Sequence, residues 1–441
     1  MAEATPSIGL IIDVHTHALL PVWVKAIQKL FSDRPASIAG APVPDWSAQG
    51  HLAMMDQHEI AAGLLSWPGA TSFFKGQAAK DLARAMNEAF ASLVSQHPGR
   101  FGAFAVTPVD DIDIALDEAA YALDVLKLDG LALTTHAGGH YLGEPYFDPL
   151  FEELHRRGAT LFVHPGPPPG FDLAANGLNV AILEFMFEST RMAANMVLSG
   201  AKARFDRINI ICTHGGGTLP YLAHRIGVLE PLFGAGNGRP TLPRQAILDG
   251  LASFYYDLTA ATSAAQLDAM RRLVPASRLL MGFDYPMMPA AEIPPAKALL
   301  QAYGGLTAEE TALIARANAA RRQTAHGAGR PPRQRPGLGL SVRTTAPGGP
   351  AAGAGSWLSG RHHALGQFAP DDDLLDLSRA FIDPEHAHIA IEPLDHAIAH
   401  IARAARSAIR PTISEQNALA HGPLGHPLAG VVASRSMHSA A

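Results

Sequence analysis

Two histidines stand two positions apart at the end of an apolar run, in IGLIIDVHTHALLP, residues 8–21. Because alternate residues of a β-strand point to the same side, His15 and His17 can aim at one point, and a metal ion is the obvious candidate for it. The pair alone favours a metal only weakly, since two histidines at a strand end can also be merely solvated. Asp13 precedes them and could orient the histidines or take a partly direct role.

Three further groups that bind metals or move protons follow later apolar runs. His164 ends TLFVH, His214 ends INIICTH, and Asp284 follows RLLMGF. If these runs are parallel strands of one barrel, their carboxyl ends lie on one side and the groups converge there. Three histidines and an aspartate are a suitable ligand set for Zn²⁺ or a similar divalent ion. Four other histidines are interpreted as hydrogen-bonded structural residues: His51, His58, His136 and His140.

Short apolar runs alternate with helical stretches up to about residue 325. This alternation predicts βαβ units and a parallel sheet, and eight units predict an α/β protein with a (β/α)8 TIM barrel. The helical stretches include residues 78–94, 113–126 and 148–158. The predicted strands are residues 9–14, 61–66, 101–106, 130–135, 160–164, 208–214, 254–258 and 278–283.

The composition limits the class of protein. Of the 441 residues, 48% are hydrophobic and 17% are charged, so most of the chain should be globular. The net charge of -6 gives no basic surface for nucleic acid. No apolar run has the length of a membrane span, and the first residues lack the pattern of a signal peptide. One cysteine, Cys212, allows no intrachain disulfide, and we expect a soluble cytoplasmic protein.

The composition changes beyond residue 325. Residues 327–356 are rich in Gly, Pro, Ala and Arg, which predicts a linker or disorder. Only short amphipathic helices are expected after it. We therefore predict a metal-dependent barrel at residues 1–325, and a linker and C-terminal extension of uncertain order at residues 326–441, with no second catalytic domain.

Four motifs together resemble the amidohydrolase superfamily: IDVHTH, FVHPG, THGGGTLPYLAHRI and GFDYP. The resemblance covers residues 8–325 and is closest to the branch of 2-amino-3-carboxymuconate-6-semialdehyde decarboxylase and related aromatic-acid decarboxylases. The segment EFMFESTRMAANMVLSG is similar to decarboxylases of methylsalicylate-type acids.

The resemblance implies roles for individual residues. One divalent ion, Zn²⁺ or alternatively Mn²⁺, would be held by a set of four ligands: His15, His17, His164 and Asp284. His214 would lie beside the metal-bound water or the substrate and move protons. Arg225 would reach across the interface of a homodimer to the substrate carboxylate, or else form a surface ion pair. Arg34 is the only arginine in the loop after the first strand, and its context does not match the family's second carboxylate-binding arginine.

The resemblance also implies a single ion. Members with two metals bridge them with a lysine or glutamate at the fourth strand, and GLALTT has neither. Lys127 precedes that strand and should lie at the opposite end of the barrel.

The function that follows is non-oxidative decarboxylation of an aromatic or unsaturated carboxylic acid, with His214 as the proton donor. Two alternatives remain open. The same ion could activate water for hydrolysis of a lactone, an amide or a ring, with Asp284 also acting as a base. A non-catalytic metal-binding scaffold fits less well, because four ligands already suffice for the ion and leave His214 without a structural task.

Overall fold

The computed structural model describes residues 8–32, 37–38, 41–171, 176–234 and 241–320. Within these ranges the architecture is an eight-stranded parallel barrel with helices between the strands, so the predicted TIM barrel is confirmed. The predicted extension, residues 326–441, lies outside the described residues, and the boundary at residue 325 stays a prediction.

All eight predicted strands are present, and each pairs in parallel with the strand that follows it in the chain. In chain order they are β1 Ile11–His17, β2 Ile60–Ser66, β3 Phe101–Val106, β4 Gly130–Thr134, β5 Thr160–His164, β6 Asn209–Cys212, β7 Tyr255–Asp257 and β8 Leu279–Leu280. Two short antiparallel strand pairs lie outside the barrel sheet: Ser37–Ile38 with Ala41–Pro42, and His136–Ala137 with His140–Tyr141.

Helices follow the strands, as the alternating pattern predicts, and the three helical stretches quoted above fall on α3, α4 and α5. The α-helices are α1 Pro21–Leu30, α2 Ala48–Gln57, α3 Gly76–Gln96, α4 Ile112–Ala120, α5 Asp148–Arg157, α6 Glu184–Leu198, α7 Ala201–Arg204, α8 Leu219–Phe233, α9 Arg244–Ala252, α10 Ala264–Leu273, α11 Ile293–Ala302 and α12 Ala308–Ala312. Single π-helical turns continue α4 (Tyr121–Val125) and α12 (Leu313–Ala317). No helix among the described residues is long and apolar enough to cross a membrane. The cellular location stays a prediction.

Apolar side chains on the inner face of the strands fill the barrel. Ile12 and Val14 of β1 belong to this inner cluster, together with Phe104 and Phe162. The two phenylalanine rings stack in parallel with their centroids 5.3 Å apart. His15 rests edge-on against Phe162, 5.0 Å between centroids, so the inner cluster forms an apolar floor beneath the carboxyl end of the barrel.

The barrel closes between β1 and the segment that follows β8. Val14 N donates to Met281 O at 2.9 Å, and Asp284 N donates to His15 O at 2.7 Å. His17 N donates to Tyr285 O at 2.7 Å. We call this junction of residues 14–17 with residues 281–285 the closing seam. It carries three of the six site residues predicted from the sequence.

Candidate metal centre

Five of the six predicted site residues meet at the carboxyl end of the barrel. They are His15, His17, His164, His214 and Asp284, which end or follow β1, β5, β6 and β8. The contacting imidazole rings have centroids 4.9–5.3 Å apart. Asp284 Oδ1 lies 2.9 Å from His17 Nε2 and 3.4 Å from His15 Nε2. Asp284 Oδ2 lies 3.6 Å from His214 Nε2.

Four of these side chains place one ligand atom each within 4.8 Å of one another, which is close enough for a single ion. The four are His15, His164, His214 and Asp284. The set predicted from the resemblance has His17 instead of His214. Because the Nε2 atoms of both residues approach Asp284, the geometry brings five candidates to a site that needs four. Which of them bind an ion stays a prediction.

Hydrogen bonds leave the Nε2 atoms of His17 and His164 available to a ligand. His164 Nδ1 lies 2.8 Å from Pro165 O, and a carbonyl can only accept, so Nδ1 carries the proton. His17 Nδ1 lies 3.1 Å from Ser66 Oγ, whose own proton is donated to Thr16 O. His17 Nδ1 therefore donates as well. Both neutral rings present an unprotonated Nε2 to the site, the form that binds metals.

His15 reaches the interior because, between Asp13 and Thr16, β1 contains one residue more than the paired part of β2. Asp13 pairs with Gly63 and Thr16 pairs with Leu65, so three steps along β1 match two along β2. Such a bulge resets the alternation of side chains. Val14 and His15 consequently both face inward. In a regular strand Asp13 would lie on the same face as His15, but the bulge places it on a different one.

Asp13 therefore acts differently from the prediction that it orients the imidazole rings. Its Oδ1 accepts the backbone N–H groups of His15, at 3.0 Å, and Phe283, at 3.2 Å. The carboxylate thus ties the two chains of the closing seam together. Its Oδ2 is buried without a hydrogen-bond partner in the described chain. Burial raises the pKa of Asp13 to about 8, despite the hydrogen bond from His15.

Asp257, at the end of β7, is the functional residue that the sequence analysis missed. Its Oδ2 lies 2.9 Å from His15 Nδ1, and its Oδ1 accepts the backbone N–H groups of His214 and Thr259 at 2.9 and 3.0 Å. It fixes the ring of His15 with Nε2 toward the site and holds the backbone that carries His214. The signal was present in FYYDL, where an aspartate is the last but one residue of a predicted strand, much as Asp284 follows another.

The electrostatics of the centre favour a protonated His15 between two ionised carboxylates, Asp257 and Asp284. Burial opposes the charged form of His15, but Asp257 and Asp284 prevail and raise its pKa to about 10. Burial alone would raise the pKa of Asp284, but His15 and the other nearby imidazoles hold it well below its usual range. Burial and the neighbouring imidazoles His214 and His15 lower the pKa of His164. Burial also lowers the pKa of His17, against the effect of Asp284.

His214 and Asp284 both have a left-handed backbone, with φ of 54° and 59°. Such a conformation is strained for a residue with a side chain and is typical of functional sites. After His214 the chain needs glycine, because the backbone passes close to neighbouring residues. A Cβ on Gly216 would lie 2.5 Å from the Tyr256 ring, and one on Gly217 would lie 2.0 Å from Met186 O.

The amino-terminal turns of α6 close another side of the centre. The Phe185 ring packs edge-on against His164 with centroids 5.7 Å apart. One turn later, the fully buried Glu188 accepts Tyr141 OH at 2.9 Å and pairs with Arg191. Glu188 also lies 3.4 Å from Thr135 Oγ1, at the end of β4. The contacts of Glu188 with Tyr141 and Thr135 fix α6 against the barrel, and with it the aromatic wall formed by Phe185. The pair with Arg191 lies within the helix, and the arginine side chain is half exposed.

β4 itself brings no bridging ligand to the site. It ends at Thr134, and Lys127 precedes its first residue, Gly130, so the lysine lies at the opposite end of the strand. This agrees with the prediction for Lys127. The presence of a single ion stays a prediction.

The predicted arginines do not join the centre. Arg225 lies on α8, is exposed, and has no ion pair within the described part of the chain. The alternative of a surface ion pair for Arg225 is thus not realised there. Arg34 lies outside the described residues.

Three of the four histidines interpreted as structural are hydrogen-bonded through their rings. His136 Nε2 bonds Pro167 O at 2.9 Å, and His140 Nδ1 bonds Glu144 Oε2 at 2.9 Å. His51 is buried and uses both ring nitrogens, to Trp46 and Thr16. His58 is half-buried at the end of α2, where its backbone carbonyl accepts Lys297 Nζ.

Comparisons with known proteins agree with this architecture. The family model described as amidohydrolase matches residues 12–322. The decarboxylase macB of Penicillium terrestre is 34% identical over 298 residues, which are 64% of this chain and 86% of that protein. The 6-methylsalicylic acid decarboxylase of Penicillium expansum is 30% identical over 299 residues, covering 66% of this chain and 90% of that protein.

A solved structure shows the same fold. The crystal structure of 5-carboxyvanillate decarboxylase from Sphingomonas paucimobilis superposes with a TM-score of 0.63 at 24% identity, covering 71% of this chain and 99% of that one. The family match extends over almost the whole described barrel, and the resemblance predicted from the motifs is confirmed. The chain is an enzyme that belongs to the amidohydrolase family.

Proposed function

We propose that this enzyme is a metal-dependent, non-oxidative decarboxylase of an aromatic or unsaturated carboxylic acid, of the salicylate or carboxymuconate-semialdehyde type. The observation that carries the proposal is the convergence of imidazole Nε2 atoms and the Asp284 carboxylate over an apolar floor. The relatives named above are decarboxylases, which favours carbon dioxide release over hydrolysis. No feature of the described site favours hydrolysis specifically.

The residues present fit a divalent ion. His15 Nε2 and Asp284 Oδ1 are buried and lie 3.4 Å apart, and neither makes a hydrogen bond of normal geometry within the described ranges. Asp284 Oδ1 also lies 2.9 Å from His17 Nε2, which has no proton to donate. Burying polar atoms without partners costs free energy, which a bound cation would recover. The proposed ligands are His15, His17, His164 and Asp284, and the ion is Zn²⁺ or Mn²⁺. When bound, the ion would supply a Lewis acid that holds the substrate's carboxylate and a neighbouring phenolic oxygen.

His214 is proposed as the acid of the reaction. Its backbone N–H is held by Asp257, and its Nε2 faces the cluster beside Asp284. As an imidazolium it would donate a proton to the ring carbon that bears the carboxylate. The carbon–carbon bond to the carboxylate then breaks, its electron pair restores the aromatic ring, and CO₂ leaves. His214 regains its proton from solvent, so the step needs no oxidant or reductant.

The remaining residues would orient the substrate and exclude water. The inner cluster around Phe162 closes the site from below, and Phe185 lines it beside His164. An aromatic ring can pack on such surfaces in preference to water. A low-dielectric pocket also strengthens each charge interaction within it.

Arg225 is proposed to bind the substrate carboxylate of a neighbouring subunit in a homodimer. It is exposed on α8 together with large apolar side chains, among them Tyr221 and Phe233, which are 82% and 72% exposed. Exposed apolar groups of this size favour a surface that is covered in an assembly. An arginine on that surface could bind the carboxylate in a bidentate contact.

The test of the activity is a metal-dependent assay of CO₂ release. The panel would contain hydroxybenzoates, methylsalicylate-type acids and a carboxymuconate semialdehyde, with metal analysis of the purified protein. We expect CO₂ from at least one acid, with loss of activity on chelation and in His164→Ala. A protein that binds metal, releases no CO₂ and turns over lactones or amides would overturn the proposal in favour of a hydrolase.

The test of the shared site is complementation between two impaired chains, assayed at a substrate concentration well below KM. Arg225→Ala and His214→Asn chains would be unfolded together and refolded as a mixture. If Arg225 acts across a two-fold interface, each mixed dimer regains one intact site, and the mixture recovers about a quarter of the wild-type activity. Recovery of no activity from a dimeric mixture would contradict a role for Arg225 in the neighbouring subunit.

A further inference from the structure

A chain of hydrogen bonds runs from Trp46, which precedes α2, through the buried His51 of α2 to the closing seam. Trp46 Nε1 donates to His51 Nδ1 at 3.0 Å, and His51 Nε2 lies 3.0 Å from Thr16 Oγ1. Thr16 Oγ1 in turn donates to Tyr285 O at 3.0 Å. The directions are fixed by chemistry, because an indole N–H only donates and a carbonyl only accepts. His51 Nδ1 must therefore accept, and the proton on Nε2 must point to Thr16.

This chain ends between the proposed metal ligands and includes none of them. Thr16 lies between His15 and His17, and Tyr285 follows Asp284. Tyr285 O accepts both Thr16 Oγ1 and His17 N, at 3.0 and 2.7 Å. The hydroxyl of Thr16 therefore fastens the β1 backbone to the loop that carries Asp284.

The surroundings hold His51 in a single state. The residue is 1% exposed, and its ring contacts Phe101 and Tyr285 with centroids 5.4 and 5.0 Å apart. Burial, with a further effect of His17, lowers the pKa of His51 to about 3. The neutral ring accepts at one nitrogen and donates at the other, which leaves one tautomer. A side chain of the same size that lacked either the acceptor or the donor would remove the hydrogen bond to the Trp46 N–H or the one to the Thr16 hydroxyl.

We propose that His51 is a positioning residue for the metal centre, which it aligns through Thr16 and Tyr285 at the closing seam. The inference rests on the proposed function only in requiring that the centre binds a divalent ion. His15, His17 and Asp284 must be held in register for their ligand atoms to meet, and the register between β1 and the loop after β8 sets that distance. Partners that orient metal ligands commonly change metal affinity by about 10–100-fold when they are removed.

The experiment measures metal affinity directly, without substrate. Zn²⁺ and Mn²⁺ would be titrated into the metal-free full-length protein in competition with a chromophoric chelator. We expect His51→Phe and Thr16→Val each to raise the metal Kd by about 10-fold or more. Thr16→Ser, which keeps the hydroxyl, should stay within about threefold of wild type. His58→Phe is the matched control on the same helix, because its ring lies outside the chain of hydrogen bonds.

A double-substituted protein separates positioning from general destabilisation. If His51 acts through Thr16, the metal Kd of Thr16→Val/His51→Phe should match that of the weaker-binding single variant, because both changes break one pathway. Multiplication of the two effects would overturn the proposed coupling. Thermal unfolding of the metal-free variants reports any loss of stability independently. If His51→Phe does not fold, Thr16→Val still tests the proposal, because valine has nearly the same volume as threonine.

The outcomes are distinct from those that test the proposed function. An unchanged metal Kd in His51→Phe and Thr16→Val, alongside a wild-type enzyme that binds metal and releases CO₂, would refute the role of His51 alone. A wild-type protein that binds no divalent ion would overturn both the metal centre and this inference.

Discussion

The affinity of the centre for a divalent ion should rise with pH. In the metal-free protein the pKa of His15 is raised to about 10, because Asp257 and Asp284 overcome the effect of burial. The pKa values of His17 and His164 are lowered, so their rings are neutral at pH 7 and offer Nε2 lone pairs. An ion that takes His15 Nε2 as a ligand must therefore displace one proton from that ring.

The size of the effect follows from this single proton. Below the pKa of His15, the association constant should rise about tenfold for each pH unit. Between pH 7 and pH 9 this is about 100-fold, or about 2.7 kcal/mol. The affinity rises with pH because protons and the metal ion compete for His15. Protonation of His15 is favoured at low pH and weakens metal binding, and above the raised pKa of His15 the metal affinity no longer depends on pH.

The assay is a chelator competition at pH 7, 8 and 9, corrected for protonation of the chelator and hydrolysis of the ion. Asp257→Asn provides the control, because it removes one of the two carboxylates that hold the proton on His15. Its dependence on pH should be flatter, and its affinity at pH 9 should be about 10–100-fold weaker, since His15 loses its orienting partner. A wild-type affinity that stays constant or falls between pH 7 and pH 9 would refute the reasoning.

Three further predictions concern single residues. In steady-state kinetics, His214→Asn should lower kcat by about 10²–10⁴-fold while the protein keeps its metal content. His17→Asn should lose the metal. Loss of metal from the His214 variant alone would make His214 the metal ligand in place of His17. Arg225→Ala should raise KM more than it lowers kcat, and Arg225→Lys should recover only part of the loss because lysine lacks the bidentate fork. In chemical denaturation, Gly217→Ala should destabilise the protein by at least about 2 kcal/mol, since its Cβ would lie 2.0 Å from Met186 O at a φ of 66°; a stability equal to wild type would contradict that contact.

Hydrophobic patterning was sufficient to predict the barrel and the side of it that carries the site. Each predicted strand formed, because a run of four to seven apolar residues between helical stretches has one good environment in an α/β protein. The positions of His164 and Asp284 followed from the same pattern, since parallel strands end at one face. The bounds of the strands were predicted less exactly. The predicted strand at residues 278–283 is regular only over Leu279–Leu280, because after Leu280 the chain leaves the sheet and turns toward the closing seam.

The residues that support the ligands were harder to predict from the sequence. Asp257 ends a strand as the ligands do, but its role depends on the 2.9 Å contact with His15, which is 242 positions away in the chain. The orientation of Asp13 depends on the bulge between Asp13 and Thr16, and no local signal in DVHTH distinguishes a bulged strand from a regular one. Long-range pairing and a one-residue change of register both escape an argument based on periodicity.

The position of the ligands relative to the seam links closure of the barrel to formation of the metal centre. His15 and His17 lie on β1, the first strand of the barrel, and Asp284 lies on the segment after β8, the last strand. The ligand atoms therefore meet only when β1 has paired with that segment. The Asp13 carboxylate joins the two sides of the seam by accepting the backbone N–H of Phe283. The chain of hydrogen bonds from His51 joins them through the Thr16 hydroxyl, which donates to Tyr285 O. An ion held by residues from both sides would in turn hold the seam closed, because binding to the folded form alone stabilises that form. Metal binding and pairing of β1 with the segment after β8 are therefore expected to be mutually stabilising.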